Sequence, residues 1–218
     1  MKTLLIRLAA LALCTGATAA ASAGTTVLAV DFEDDAVGPL GPPWSVFGNG
    51  GSSVSVVDVG GRHGHVLQLD ADPSEGVYLT ASDPFSASRR RIEARVDIRS
   101  DAGAGFIWAL TGAGDTLGSR RIRLQLPPGS DMLDAQTSPS GDTACGHLPV
   151  GKWSRVTLSV DARFATHTFD VLIDGQPTAC TGIATGLGPP FDGVTVMDAS
   201  NAGWGGRTQF DNILVKAR

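Results

Sequence analysis

A two-residue alternation of apolar and charged side chains runs through residues 91–99 and constrains the fold more than any other feature. The apolar members are Ile92, Ala94, Val96 and Ile98, and the charged members are Arg91, Glu93, Arg95, Asp97 and Arg99. This period predicts a β-strand with one face in a core and one face of opposite charges that pair along and across strands. A Gly-rich turn at 101–105 follows, and Phe106, Trp108 and Leu110 then share a face of a second strand.

Short strands are predicted along most of the chain, and together they specify an all-β fold. They cover residues 25–33, 54–59, 65–70, 77–80, 121–126, 191–197 and 208–215. A hairpin is predicted within 149–176, in which Val156, Leu158 and Val160 face Phe169, Val171 and Ile173, and Asp174-Gly175 turns the chain out of its second strand. We expect residues 127–146 to form a long polar loop. About a dozen strands with this patterning predict a two-sheet antiparallel β-sandwich, because a single sheet could not hide so many apolar rows.

The first 23 residues have the features of a secretory signal peptide. Lys2 and Arg7 give a positive start, residues 4–13 are apolar, and Ala21-Ser22-Ala23 is a cleavage site before Gly24. The apolar run is too short to span a membrane, which takes about 20 residues. We therefore expect an exported protein, secreted or periplasmic.

A lipoprotein interpretation through Cys14 would need a small residue where Leu13 stands. No repeat or linker divides residues 24–218, which we expect to form a single β-sandwich domain and a monomer. The formal net charge of −5 becomes −7 without Lys2 and Arg7. This acidic balance, with arginines spread among acids, argues against nucleic acid as a partner.

Two cysteines stay in the chain once the leader is removed. In an exported protein, Cys145 and Cys180 most simply form a disulfide. A loop of about 35 residues is worth roughly 3 to 4 kcal/mol by the chain-entropy treatment. A catalytic cysteine has no motif in this sequence to support it.

Several segments resemble the concanavalin A-like lectins and glucanases, the laminarinase type in particular. They are the strand pair RIEAR…G…W within 91–108 and the GKW at 151–153 with its hairpin and IDG at 173–175. The opening DFEDD…G…P…W…V within 31–46 resembles jelly-roll carbohydrate-binding modules. The resemblance covers most of residues 24–218 and implies a jelly roll with a carbohydrate ligand.

The catalytic residues of such glucanases have no counterpart in this chain. They form an E-x-D-x-x-E pattern, whereas the glutamates here are Glu33, Glu75 and Glu93, none of them in that pattern. Glu93 and Asp97 share a strand face but lie about 13 Å apart by strand rise. This separation is too large for either hydrolytic geometry.

Lyases of this fold carry K-x-Y-F-K-x-G-x-Y, which is absent, although Arg121, Arg123 and Gln125 share a strand face as in a lyase R-x-R strand. We therefore predict an exported, non-catalytic carbohydrate-binding protein. Two alternatives stay open. One is a polysaccharide lyase or a glycoside hydrolase with an unfamiliar acid pair, and the other is a structural or adhesive module that binds protein.

The resemblance also implies a structural calcium ion. Jelly-roll carbohydrate-binding modules often join their first and last strands through Ca²⁺ held by an early FE acid and a late D-N-hydrophobic acid. Here these acids are Glu33 and Asp211, with Asp31 as a third ligand. Carboxylates and backbone carbonyls are the oxygen ligands that calcium prefers. The alternative is that these acids lie on solvated strand edges.

The predicted sugar-binding surface is the loop around Trp204, because sugar rings bind exposed aromatic side chains with polar groups nearby. Asp198, Asn201 and Arg207 flank this tryptophan. Trp108 is a second candidate, although its face is shared with core-like residues. Trp44 and Trp153 are predicted to be structural.

The charged row 91–99, taken together with Arg121 and Arg123, could bind an acidic glycan or could be a self-neutralising solvated face. The histidines show no metal-ligand spacing, and we expect them at the surface. They are His63, His65, His147 and His167.

Overall fold

All regular structure in the described part of the chain is β. The computed structural model describes residues 24–47, 51–72, 79–115, 120–198 and 205–218. Among these residues no helix is present that could cross a membrane. The strands are β1 (Thr25–Val30), β2 (Gly38–Pro39), β3 (Ser45–Phe47), β4 (Ser53–Asp58), β5 (His65–Ala71), β6 (Leu79–Ala87), β7 (Arg91–Ser100), β8 (Phe106–Gly112), β9 (Arg121–Leu126), β10 (Met132–Thr137), β11 (Gly141–His147), β12 (Ser154–Asp161), β13 (His167–Ile173), β14 (Gln176–Pro177), β15 (Ile183–Thr185), β16 (Phe191–Asp198) and β17 (Gly206–Ala217).

These strands form two antiparallel sheets packed face to face. The ten-stranded sheet has the order β14-β13-β12-β7-β17-β5-β4-β2, with β1 beside β17 and β15 beside β13. The seven-stranded sheet has the order β11-β10-β9-β8-β16-β6-β3. The predicted two-sheet, jelly-roll β-sandwich is confirmed.

Strands β7 and β8 each supply one row of buried side chains to the core, and each row comes from a different sheet. The apolar residues of β7 are buried, and so are Phe106, Trp108 and Leu110 on β8. However, β7 and β8 belong to different sheets, so the turn at 101–105 carries the chain across the sandwich. Phe106 meets Phe210 of β17 edge to face, with ring centroids 5.7 Å apart. The core thus forms where the inner faces of the two sheets meet.

The predicted β12–β13 hairpin is confirmed in register. Val156 pairs with Ile173, Leu158 with Val171, and Val160 with Phe169. After β13, Asp174 and Gly175 both have left-handed backbone conformations, with φ of 51° and 77°. An Asp-Gly pair suits this geometry because glycine carries no Cβ to clash and aspartate tolerates it better than most residues.

The prediction of a loop at 127–146 is wrong, because this segment contains the β10–β11 hairpin. Leu133 and Ala135 are buried while the residues between them face outward. That short alternation is set among Ser, Gly, Asp and Pro, which favour turns, so the composition conceals it.

The predicted disulfide is confirmed, and it joins the edges of the two sheets. Cys145 lies on the edge strand β11, and Cys180 lies between β14 and β15 at an edge of the other sheet. Next to it, the backbone N–H of Ala179 donates to the carbonyl of Cys145 at 3.0 Å. The open side of the sandwich is therefore closed by both a covalent bond and a hydrogen bond.

Strand β17 lies inside the ten-stranded sheet although it comes last in the chain. It pairs with β7 along most of its length, and its other side pairs first with β5 and then with β1. Asn212, with φ of 51°, lies in the bulge between Asp211 and Leu214. The predicted strand 208–215 is extended at both ends, whereas the predicted first strand ends at Val30, just before the left-handed Phe32.

Candidate functional site

The loop predicted to bind sugar is only partly described. Trp204 and Asn201 lie outside the described residues. Asp198 ends β16, and Arg207 lies near the start of β17, so these two positions bracket the loop. The Nε atom of Arg207 lies 3.3 Å from Oδ1 of Asp70 in an exposed ion pair. Sugar binding at this loop stays a prediction.

The tryptophans differ in their burial. Trp108 is 0% exposed, so the core interpretation of this residue is confirmed and its ring presents no face to a sugar. Trp44 is also buried, as expected, with its ring 5.9 Å from that of Phe32. Trp153 is only half-buried and lines a surface pocket.

The predicted calcium ligands Glu33 and Asp211 both contact the segment from His63 to His65, where the turn after β4 enters β5. Oε2 of Glu33 accepts from the backbone N–H of His65 at 3.3 Å, and Oδ1 of Asp31 accepts from the backbone N–H of Glu33 at 3.4 Å. The oxygens of Asp211 accept from the side chain of His63 and from Asn212. The described residues include no group of three or more His, Cys, Asp or Glu side chains placed to hold a metal ion.

His63 is 6% exposed, so its predicted surface position is wrong. Its Nδ1 donates to Oδ2 of Asp211 at 2.6 Å, and its ring stacks on Trp153 with centroids 4.0 Å apart and planes 16° from parallel. The cause is the tight GGRHGH turn, in which Gly60, Gly61 and Gly64 all have positive φ. A Cβ at position 64 would overlap the carboxylate of Glu33. The three glycines around this histidine were the available sequence signal for its burial.

Asp97 also departs from the predicted solvated face, because it is 3% exposed. Arg155 holds it with two hydrogen bonds, from Nε to Oδ1 at 2.6 Å and from Nη2 to Oδ2 at 2.8 Å. Asp97 lies directly opposite Asp211 across β7 and β17, and Nδ2 of Asn212 donates to both carboxylates. Two buried acids thus share one small set of donors.

The ionisation of this network follows from its burial. Burial raises the pKa of Asp211, an effect increased by the nearby charge of Asp97 and opposed mainly by the hydrogen bond from His63. The hydrogen bond to Asp97 raises the pKa of Arg155, which stays a permanent cation. Sequence reasoning missed this network because its members come from four separate segments.

Two further charges of β7 pair with charges outside this strand. Arg91 pairs with Asp161 of β12 at 3.2 Å, and Glu93 pairs with Arg218 at 3.0 Å. The self-neutralising interpretation is confirmed for these pairs. Arg121 and Arg123 cannot extend this row, because β9 belongs to the other sheet.

Arg121 and Arg123 instead line a cavity on the outer face of the seven-stranded sheet. Gln136 of β10 and the turn at 138–141 complete its wall, and its volume is about 340 Å³. Arg123 lies opposite Ala109 of β8, which in turn lies opposite Thr195 of β16. Both of these residues are buried, so the accessible part of this face lies at the two arginines. We call this surface, formed by Arg121, Arg123, Gln136 and the turn at 138–141, the arginine groove.

Two acids lie on the same outer face next to the arginine groove. Asp142 of β11 pairs with Gln136, and its Oδ1 accepts from the amide of Gln136 at 2.7 Å. Asp134 is its diagonal neighbour on β10. Burial and the charge of Asp142 raise the pKa of Asp134. One carboxyl of this pair therefore holds its proton more strongly than an ordinary aspartate.

No protein-family model and no curated protein matches this sequence. Solved structures do resemble its fold. An endo-1,3-β-glucanase from Streptomyces sioyaensis is 15% identical, with a TM-score of 0.63 over 92% of this chain and 98% of the glucanase. The carbohydrate esterase of the Shiga toxin-encoding bacteriophage phi24B is 13% identical, with a TM-score of 0.63 over 90% and 100%.

A sialidase is also similar in fold, at 13% identity and a TM-score of 0.65. The match covers 89% of this chain but only 19% of the sialidase, so the chain spans about a fifth of that protein. At these identities the likenesses show the fold, which is the β-sandwich described above.

Proposed function

We propose that this protein is an exported, non-catalytic glycan-binding protein that holds an acidic polysaccharide in the arginine groove. The observation that carries the proposal is the pair Arg121 and Arg123 in a cavity whose other lining residues include no acid. The disulfide supports export, because disulfides persist in oxidising compartments. The glucanase, esterase and sialidase of similar fold are named for activities on carbohydrates, which supports a glycan as the ligand.

The chemistry of the groove favours a sugar that carries carboxylates. A guanidinium group binds a carboxylate through two parallel hydrogen bonds, which gives both strength and orientation. Nη1 of Arg121 lies 3.7 Å from Oδ2 of Asp115, which restrains this arginine before a ligand arrives. The amide of Gln136 adds a donor and an acceptor for hydroxyl groups.

The test is retention of residues 24–218 on immobilised polygalacturonate and alginate, compared with neutral laminarin and cellulose. We expect the protein to be retained on an acidic polymer. Its affinity for that polymer should fall at least about tenfold in an Arg121→Ala/Arg123→Ala variant, because each hydrogen bond to a charged group is worth about 1.5 to 3 kcal/mol. The affinity should also fall as the salt concentration rises. Arg163→Ala removes an exposed arginine from the turn between β12 and β13 and is the matched control.

Equal retention of the double variant and the wild type would contradict the arginine groove as the binding surface. Retention on neutral polymers alone would contradict the acidic ligand. Absence of retention on all four polymers would contradict glycan binding and favour the structural or protein-binding alternative.

A glycoside hydrolase is the second candidate function, and the pair Asp134 and Asp142 favours it. Diagonal neighbours on adjacent strands lie about 7 to 8 Å apart, within the separation that inverting hydrolases use for an acid and a base. The raised pKa of Asp134 suits a proton donor. Release of reducing ends from a retained polysaccharide would favour this candidate over simple binding.

Calcium binding by Glu33, Asp31 and Asp211 stays a proposal, and it requires the ion to displace His63 from Asp211. Asp211 accepts hydrogen bonds from His63 and Asn212 through both oxygens, so an ion would have to replace the histidine. If it does, millimolar Ca²⁺ should raise the melting temperature relative to EDTA, because a ligand that binds only the folded state stabilises it. Superimposable melting curves would rule the ion out, and Asp211→Asn is expected to abolish any difference.

A further inference from the structure

We propose that a pocket around Trp153, on the outer face of the ten-stranded sheet, is a second ligand site that accepts an uncharged sugar unit. We call it the tryptophan pocket. It has a volume of about 270 Å³ and is lined by Arg62, Asp97, Trp153, Ser154, Arg155 and Asp174. It lies on the opposite sheet from the arginine groove, so it does not depend on that surface or on an acidic ligand.

The aromatic wall of the pocket is fixed before a ligand arrives. One face of Trp153 is stacked on the ring of His63. His63 is in turn held by the 2.6 Å hydrogen bond to Asp211, whose carboxylate also accepts from Asn212. The indole is half-buried and still reaches the pocket. A rigid aromatic surface that keeps contact with solvent suits the apolar face of a pyranose or furanose ring.

The polar wall of the pocket is fixed as well. Arg155 is clamped by its two hydrogen bonds to the buried Asp97 while 43% of its side chain stays exposed. Oδ1 of Asp174 accepts from the backbone N–H of Arg155 at 2.7 Å, and the left-handed φ of Asp174 sets the direction of that carboxylate. Groups that are already ordered lose little conformational entropy when they bind.

The charges of the pocket select the class of ligand. Two arginines, Arg62 and Arg155, are balanced by two aspartates, Asp97 and Asp174. A carboxylate or phosphate entering this space would meet both acids, whereas hydroxyl groups can accept from the guanidinium groups and donate to Asp174. An aromatic wall with donors and acceptors in balance therefore fits a neutral sugar, in contrast to the arginine groove.

The buried network behind the pocket holds two acids that share a hydrogen-bond donor, Asn212. Asp97 and Asp211 are almost fully buried and lie opposite each other, an arrangement that costs desolvation energy. Well-packed apolar residues often serve as well or better at such positions. Burial raises the pKa of Asp211, which reflects that cost. The network does, however, fix the positions of Trp153 and Arg155, and a binding site needs both.

The test is a titration followed by the indole N–H signals in ¹H–¹⁵N NMR spectra of residues 24–218. The chain has four tryptophans, so at most four indole signals are expected, and the signal missing from a Trp153→Phe variant is the one from Trp153. The probes are cellotriose, laminaritriose and arabinotriose, with trigalacturonate as the charged comparison. We expect at least one neutral trisaccharide to shift the Trp153 signal saturably.

Two variants locate the site without removing its aromatic wall. Arg62→Ala changes an exposed residue and should weaken the affinity for that trisaccharide about tenfold, as should Asp174→Asn. Asparagine tolerates the left-handed conformation and keeps the oxygen that accepts from Arg155, so the turn should persist. Arg163→Ala is the control and should bind as the wild type does.

A Trp153 signal that stays in place with all three neutral sugars would overturn the proposal. So would a response to trigalacturonate alone, or equal affinity in Arg62→Ala, Asp174→Asn and the wild type. The Arg121→Ala/Arg123→Ala variant should keep the neutral-sugar response in full. Failure at the arginine groove and failure at the tryptophan pocket are therefore separate results.

Discussion

Phe210→Ala is expected to lower the free energy of unfolding by about 3 to 5 kcal/mol, the usual cost of truncating a buried phenylalanine. Phe210 is fully buried on β17 and meets Phe106 of the other sheet edge to face. The substitution therefore removes apolar contact area, leaves a cavity and breaks an aromatic pair that joins the sheets. Denaturant unfolding monitored by circular dichroism measures the change.

Phe164→Ala is the matched control, since the same atoms are removed from a side chain that is 65% exposed. Its effect should lie within about 0.5 kcal/mol of zero. If the two variants lost the same free energy, the assignment of Phe210 to the contact between the sheets would be wrong.

Reduction of the disulfide between Cys145 and Cys180 is expected to cost about 3 to 4 kcal/mol. The bond closes a loop with a sequence separation of 35, and most of its effect comes from limiting the freedom of the unfolded chain. The measurement is denaturant unfolding with and without a reductant. A Cys145→Ala/Cys180→Ala variant should lose at least as much, because Cys145 and Cys180 are both buried.

Adding reductant to that double variant is the control, and its unfolding midpoint should stay where it was. An unchanged midpoint for the reduced wild type would show that the hydrogen bonds along β11 hold the edge of the sandwich without the covalent link.

Local patterning was sufficient to predict most of the fold. The alternation of β7 and the register of β12 with β13 depend on neighbouring residues, and both are confirmed. Prediction failed at β10 and β11, where Leu133 and Ala135 are the buried apolar residues of β10. Turn-forming residues around them gave a stronger and misleading signal.

The candidate sites were harder to predict because they depend on which strands become neighbours. Arg121 and Arg123 were recognised as a pair, but they were grouped with a charged row that lies on the other sheet. Asp97 was expected at the surface, since nothing local shows that Arg155 and β17 cover it. His63 was expected there too, because the glycines of its turn do not show which elements the turn packs against. The stacking of His63 on Trp153 joins segments about 90 residues apart, and such a pairing follows only from the completed topology.

The position of β17 in the sheet affects how the chain can fold while it is being made. Ribosomes synthesise the chain from its N-terminus, so β17, which holds β7 next to β5 and β1, becomes available only after all three of these strands. Until then, each of these three strands presents unpaired backbone groups that can pair with another chain. A prematurely terminated chain that ends before residue 206 is therefore expected to aggregate, and a growing chain must be kept from its neighbours until β17 has been made.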